Sequence, residues 1–322
     1  MYKLENKFAI GCLVQWYEIE IIEEYIESLK QSLSQIDNRE NVIVDFKLVI
    51  NQELEKIDET KITIDEIITR FEKMIDGFEL DITEELVTIA DYRRWFNDYY
   101  CDKVDVLMWG ETDALLPKQT FQILDNLHNS VKVDTPKYLS FFGTCKMWDE
   151  TWKPIEHTDF TDKPFIDNDY DNWWSLKYTM NIEEMNQFND KVENLDVRAV
   201  SPHKFNGCGL VISSEIIKAG VNIPRSVFFV HEDTSFMIMT NKLLGEIPQY
   251  VIKNVLLVHN RNHPKKRMYI SGERDNGTMN EKRRSNEWYV KANKMSEQNC
   301  YNLFNTNYKS FTWEDVFGRT TS

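Results

Sequence analysis

Apolar residues along this chain fall into two patterns: short unbroken runs, and longer stretches in which they recur every three or four positions. Residues 8–14 (FAIGCLV) are a run of strand formers, followed by Ile19, Ile22, Ile26 and Leu29 at the spacing of one helix face. Residues 42–50 (VIVDFKLVI) repeat the strand signal, and a helix over 89–100 leads into a third strand at 104–109 (VDVLMW). After Pro117 the spacing predicts an amphipathic helix to about residue 127, then a strand at 138–145 (YLSFFGTC). Further short strands are predicted at 209–213, 226–230 and 255–259, with a helix over 235–244. Strands alternating with helices predict an α/β fold with a central, mainly parallel sheet flanked by helices. Two stretches interrupt the alternation. Residues 52–88 are charged and read as a helical insertion, while 147–175 have no period and hold Trp148, Trp152, Trp173 and Trp174 among Asp and Pro. No internal repeat and no linker stands out.

Composition narrows the class. With 322 residues, 42% apolar and 28% charged, the chain can bury a substantial core, which excludes disorder as its overall state. No run of 18 apolar residues is present, and residues 1–7 carry charges of both signs without a secretory pattern, so the expected location is cytoplasmic. Five scattered cysteines (Cys12, Cys101, Cys145, Cys208, Cys300), none in a Cys-x-x-Cys pair, read as reduced core thiols. The net charge of −15 argues against generic coating of nucleic acid. The sign is uneven: residues 1–90 hold 21 acidic and 9 basic side chains, whereas 259–284 hold eight basic against three acidic. The basic segment is the place where an anion is least opposed, although such clusters also serve as solvated surface.

Candidate chemistry concentrates at predicted strand ends, where ligands gather in open α/β sheets. Trp109-Gly110-Glu111-Thr112-Asp113 sets two carboxylates after a buried strand, a supply of hard oxygen ligands for a divalent cation or, alternatively, the cap of a helix. Phe205-Asn206-Gly207-Cys208-Gly209 is a glycine-bearing turn of the kind that lets backbone approach a ligand. Glu232 and Asp233 follow an apolar run at the start of a helical pattern, suited to a general base or to capping. His259 ends the run 255–259 beside Arg261 and His263.

The order of these four elements resembles the nucleotide-sugar-dependent glycosyltransferases of the GT-A fold, over roughly residues 7–266. The resemblance implies a GT-A-like, Rossmann-related catalytic domain over 1–270, with 271–322 as a C-terminal extension packed on it. Under it, Glu111 and Asp113 match the metal and diphosphate motif, with Glu in the first place where Asp is usual, and His259 matches the histidine completing the shell. Gly207 and Gly209 match the loop beneath the donor sugar, and Asp233 matches the catalytic base of inverting members, with Glu232 beside it. Gln15, Trp16 and Tyr17 follow the first strand, which in the family ends on the nucleotide base. Arg93 and Arg94, on the helix entering the motif strand, and Lys265, Lys266 and Arg267 are basic groups for the diphosphate. Trp148 and Asp149 are candidates for the acceptor wall.

The expectation is therefore a Mn²⁺- or Mg²⁺-dependent glycosyltransferase using a nucleoside-diphosphate sugar, a UDP-sugar by preference, and inverting at the anomeric carbon. Its acceptor is a glycan or a hydroxylated DNA base reached through the basic segment 261–284. Two other readings stand beside it. A nucleotidyltransferase of similar fold would use similar carboxylates, but residues 11–15 (GCLVQ) hold a single Gly and lack its basic, Gly-rich signature. A non-catalytic carbohydrate-binding protein would keep the acids only as caps.

Overall fold

The computed structural model describes residues 1–143, 180–200, 207–259 and 287–318. In chain order these form β1 (Phe8–Gln15), α1 (Ile22–Leu33), β2 (Val42–Val49), α2 (Ile64–Met74), β3 (Glu79–Thr83), α3 (Ile89–Tyr100), β4 (Val106–Trp109) and β5 (Ala114–Leu115). Then come α4 (Thr120–Val131), β6 (Leu139–Gly143), α5 (Ile182–Asn189), β7 (Val197–Val200), β8 (Val211–Ser213) and α6 (Ser214–Lys218). The order closes with α7 (Glu232–Leu244), β9 (Gln249–Leu256), β10 (Val258–His259), α8 (Glu287–Tyr301) and α9 (Trp313–Phe317).

Eight strands make one sheet in the order β3-β2-β1-β4-β8-β6-β9-β7, and β5 pairs with β10 in a separate ribbon. Strands β1, β2, β3 and β4 run parallel, and β6 and β9 share their direction because both β4 and β6 pair antiparallel with β8. Only β7 and β8 run the other way. The fold is thus α/β with a mainly parallel central sheet flanked by helices, as the alternation of periods predicts.

Strand β1 explains why its sequence is an unbroken apolar run. Phe8, Ile10, Cys12 and Val14 pack with Ile22, Ile26 and Leu29 of α1 in one core cluster, whereas Ala9 and Leu13 pack with Tyr92 and Phe96 of α3 in another. Both faces are covered, so neither set of alternating positions can be polar. At Gly11 the fit is tightest: a Cβ there would lie 2.5 Å from the Phe96 ring and 2.7 Å from the Tyr92 hydroxyl. Helix α3 therefore lies directly on the strand backbone, which sets the height from which Arg93 reaches the sheet's end.

Three local expectations change. Residues 79–83 are a strand within the stretch that reads as helical: Leu80 and Ile82 alternate with charged neighbours, and Lys47 forms an ion pair with its cross-strand partner Asp81. The charges that stabilise this edge strand also hide its period. Residues 226–230 are not a strand. Their carbonyls accept hydrogen bonds from side chains instead: Val227 from Arg94, Phe228 from Thr88, Ser226 from Asn299 and Val230 from Ser296. Finally, 255–259 is the end of a longer strand, β9, plus β10, with a step at Leu257.

The C-terminal helices α8 and α9 seat Ala292 and Val316 against Phe228, with Trp288 and Trp313 around them. They clamp the segment that leads into α7. Among the described residues no helix is long and apolar enough to cross a membrane.

Because the approach at Gly11 leaves no room for a methyl group, Gly11→Ala should destabilise the protein by about 1–3 kcal/mol, the usual cost of overpacking. Urea denaturation of the two proteins measures it, and equal midpoints would contradict the packing described.

Candidate functional site

All the parallel strands end on one side, and the site lies there. A cavity of about 210 Å³ opens beyond β1, β2 and β4, lined among others by Gln15, Trp16, Tyr17, Asn51, Glu111 and Asp113. The reversed strand β8 contributes from its beginning rather than its end: Met108 pairs with Val211, and the Trp109 amide donates to the Leu210 carbonyl at 2.9 Å. Antiparallel pairing is what carries Gly207, Cys208 and Gly209 to the carboxyl end of β4. The β5–β10 ribbon does the same for the histidine, setting His259 opposite Ala114.

Glu111, Thr112 and Asp113 form a turn that enters a strand, with the Ala114 amide donating to the Glu111 carbonyl at 3.1 Å. They open no helix, which removes the capping explanation for this pair. Thr112 donates to Glu18 at 2.9 Å, and Glu18 also accepts from the Gln15 amide at 3.0 Å, so the turn is tied to the end of β1. His259 Nε2 sits 3.2 Å from Glu111 Oε2 and 3.3 Å from Asp113 Oδ2.

Arg93 joins this group to the other acids. Its side chain is 2% exposed, its guanidinium lies 4.6 Å from the centre of the Trp109 ring, and it contacts Glu111 at 2.8 Å and Glu232 at 2.7 Å. It also donates to the Gly207 carbonyl at 3.3 Å, while the Gly207 amide donates to Asp233 Oδ2 at 3.2 Å. Gly207 is therefore held at both its amide and its carbonyl, one on each of two successive peptide groups. Asp233 Oδ1 accepts from the Thr234 amide at 2.7 Å and, more weakly, from the Thr234 hydroxyl at 3.4 Å. The residue before the pair, His231, has a left-handed backbone with φ of 71°, alone among the described non-glycine residues. Such a conformation costs about 1–3 kcal/mol and is held here by the clamp on 226–230.

Electrostatics follow from burial set against pairing. Burial raises the Glu111 carboxyl, but His259 and Arg93 outweigh it and hold the group at about 2. Glu232 goes the other way: burial and the neighbouring Asp233 carry it to about 7 despite Arg93. Burial lowers His259, yet Cys208 and Asp113 reverse that and raise it well above an ordinary imidazole. Burial pushes the Cys208 thiol up to about 11.

A cation would find suitable donors. Ligand atoms held about 2.0–2.2 Å from one ion lie about 3 Å from one another, the spacing of His259 Nε2 from both carboxylates. Glu111, Cys208 and His259 also present donor atoms within 4.8 Å of one another. Asp113 Oδ2 stands 3.3 Å from the same imidazole nitrogen, beside that set.

Of the residues singled out from sequence, Glu111, Asp113, Gly207, Gly209, Glu232, Asp233, His259 and Arg93 meet in one region, and Gln15, Trp16 and Tyr17 line the adjoining cavity. Gln15 directs its amide to the Val87 carbonyl at 3.0 Å. Arg94 is a correction: it faces away and binds the carbonyls of Ile223, Pro224 and Val227 together with Asp91. Alternate helix neighbours point to different sides, so Arg93 and Arg94 cannot both reach the site. Arg93 is itself buried between acids rather than presented on an exposed helix face. Trp148, Asp149, Lys265, Lys266 and Arg267 lie outside the described residues, as do Cys145, the aromatic segment 147–175 and the basic segment 261–284. Sequence reasoning treated Cys208 as core, though its place between two glycines of the loop was the available signal. Glu18, too, was missed.

No protein-family model and no curated protein matches the sequence. Among solved structures, a mycobacterial protein is similar at 9% identity, covering 91% of this chain and 75% of its own, with a TM-score of 0.42. Residues 1–349 of TarS from S. aureus are similar at 12% identity, covering 96% and 77%, with a TM-score of 0.41. Likenesses this distant add nothing to the chemistry, which rests on the site's own geometry.

Two outcomes follow. Arg93→Met strands Glu111 and Glu232 without their buried partner and should cost about 3–5 kcal/mol in chemical denaturation. Glu232 has a raised pKa, so the folded state favours its protonated form; its penalty is absent below the unfolded value near 4.5 and grows as pH rises towards about 7. In chelator-treated protein, Glu232→Gln should match wild type in thermal stability at pH 4.5 and exceed it by a few degrees at pH 8. A gap that is constant with pH would contradict the shift.

Proposed function

We propose that this chain is a metal-dependent glycosyltransferase that moves a sugar from a nucleoside-diphosphate sugar to an acceptor hydroxyl with inversion. The observation that carries the reading is the meeting of Glu111, Asp113 and His259 within 3.3 Å contacts at the mouth of the parallel sheet, beside a cavity lined by Gln15, Trp16 and Tyr17. A nucleobase suits the Trp16 and Tyr17 end of that cavity, and a diphosphate the carboxylate end when a cation is present. The bound cation supplies neutralisation of the charge that develops on the leaving diphosphate.

The chain's own residues have separate duties. Asp233, oriented by the Gly207 and Thr234 amides, accepts the proton of the acceptor hydroxyl as that oxygen attacks the anomeric carbon and the bond to the diphosphate oxygen breaks. Arg93 keeps Glu111 and Glu232 apart in charge and in space, which makes it a positioning residue rather than one that touches substrate. The donor sugar lies over the Gly207–Gly209 loop, whose glycines let it pack closely: a Cβ would lie 2.7 Å from Arg93 Nη1 at the first and 2.6 Å from Leu257 Cδ1 at the second. The acceptor is proposed to be a glycan hydroxyl; a DNA acceptor would need segment 261–284 to overcome a net charge of −15. The turn geometry of Glu111 to Asp113 disfavours a purely carbohydrate-binding role, since those acids cap no helix.

The test is a screen of UDP-, GDP- and CMP-sugars by thermal shift and by release of nucleoside diphosphate, with Mn²⁺, with Mg²⁺ and with EDTA. One donor should stabilise the protein and be turned over only with metal. Asp113→Asn should abolish both effects, whereas Asp233→Asn should keep donor binding and lose about 10²–10⁴-fold in transfer. A donor that is hydrolysed equally in EDTA, or no response to any donor, would sink the reading.

A further inference from the structure

We propose that Cys208 is itself a metal ligand, so that the centre is a mixed nitrogen, oxygen and sulfur site built for a zinc-class cation rather than for Mg²⁺. The inference rests on the reading of Glu111, Asp113 and His259 as a metal site and names the cation class that site selects.

Three features of the fold bring the sulfur in. First, Gly207 is fixed by Arg93 on its carbonyl and by Asp233 on its amide, which anchors one side of Cys208. Second, Gly209 has φ of +67°, and a Cβ there would lie 2.6 Å from Leu257 Cδ1. The loop therefore presses against the step between β9 and β10, two residues before His259. Third, the result is a thiol 2% exposed whose sulfur, together with Glu111 and His259 donors, lies within the 4.8 Å span of one small shell. A side chain chosen only to fill this space would not need to be a ligand atom, and the loop's two glycines would not need to drive it against an imidazole.

Donor chemistry then decides the cation. Mg²⁺ takes oxygen ligands in near-ideal octahedral geometry, and a sulfur in its shell is a poor substitute. Zn²⁺ and its spectroscopic stand-ins Co²⁺ and Cd²⁺ accept thiolate, imidazole and carboxylate together. On binding, the metal–sulfur bond forms as the S–H proton passes to solvent. Any site with a nitrogen donor ranks Mg²⁺ and Mn²⁺ below Zn²⁺, so the order of affinities alone decides nothing. What decides is whether removing the sulfur shrinks that preference.

The experiment uses the full chain stripped with EDTA and titrated with Co²⁺ and with Cd²⁺. Wild type should develop a near-ultraviolet thiolate-to-metal charge-transfer band that saturates at one equivalent. The band should persist in Cys12→Ser, which alters the buried thiol of β1, and vanish in Cys208→Ser. Cys208→Ser should also weaken Co²⁺ and Zn²⁺ binding by at least about tenfold while Mg²⁺ binding stays within about threefold. Should Cys208→Ser fail to fold, the wild-type spectrum still decides. Co²⁺ bound without a sulfur band, and released by Asp113→Asn, would overturn the thiolate ligand and leave the metal-dependent transferase standing. Failure of Co²⁺, Zn²⁺ and Mn²⁺ to bind at all would overturn both.

Discussion

The site depends on one buried guanidinium. Arg93 is enclosed by protein, and a charge there is tolerable only because Glu111 and Glu232 lie at 2.8 and 2.7 Å and the Trp109 ring covers one face. The guanidinium in turn offsets the burial of both carboxylates, with His259 adding to its effect on Glu111. Burial works against the charged form of Arg93, yet the acids more than restore it and raise its pKa above that of a free guanidinium. Charges of alternating sign thus run from Glu232 through Arg93 and Glu111 to the His259 imidazole and Asp113. These contacts bring four segments of the chain together: α3, the turn at 111–113, the start of α7 and β10.

How much of this could be read from residues alone differs by scale. The α/β class was legible because β1 as far as Val14 and all of β4 are without polar side chains, and α1 and α3 carry the helical period; both signals report burial. The edge strand β3 was hidden because its outer face is solvated and charged. The apolar run 226–230 misled for the opposite reason: Val227 and Phe228 are buried, but by loops and helices whose side chains, not a neighbouring strand, satisfy the carbonyls. Burial is written in composition; the identity of the hydrogen-bond partner is not.

The site divides in the same way. Glu111, Asp113, Gly207, Glu232, Asp233 and His259 could be picked out because each stands at a predicted strand end, the place where α/β sheets expose backbone and side chain to a ligand. The difference between Arg93 and Arg94 could not, since it turns on a rotation of about 100° between helix neighbours and on the exact depth of α3 against Gly11. Cys208 was overlooked because a cysteine among apolar residues is ordinarily inert packing, and only the antiparallel direction of β8 brings it to the histidine.

The pairing of β5 with β10 carries a consequence for biogenesis. Glu111 and Asp113 are synthesised long before His259, and the ribbon that unites them cannot form until β10 has left the ribosome. Until then Glu111 and Asp113 have no imidazole beside them. A nascent or prematurely terminated polypeptide would consequently lack the imidazole that Glu111 and Asp113 meet, and the cluster would be completed in one step, when β10 docks on β5.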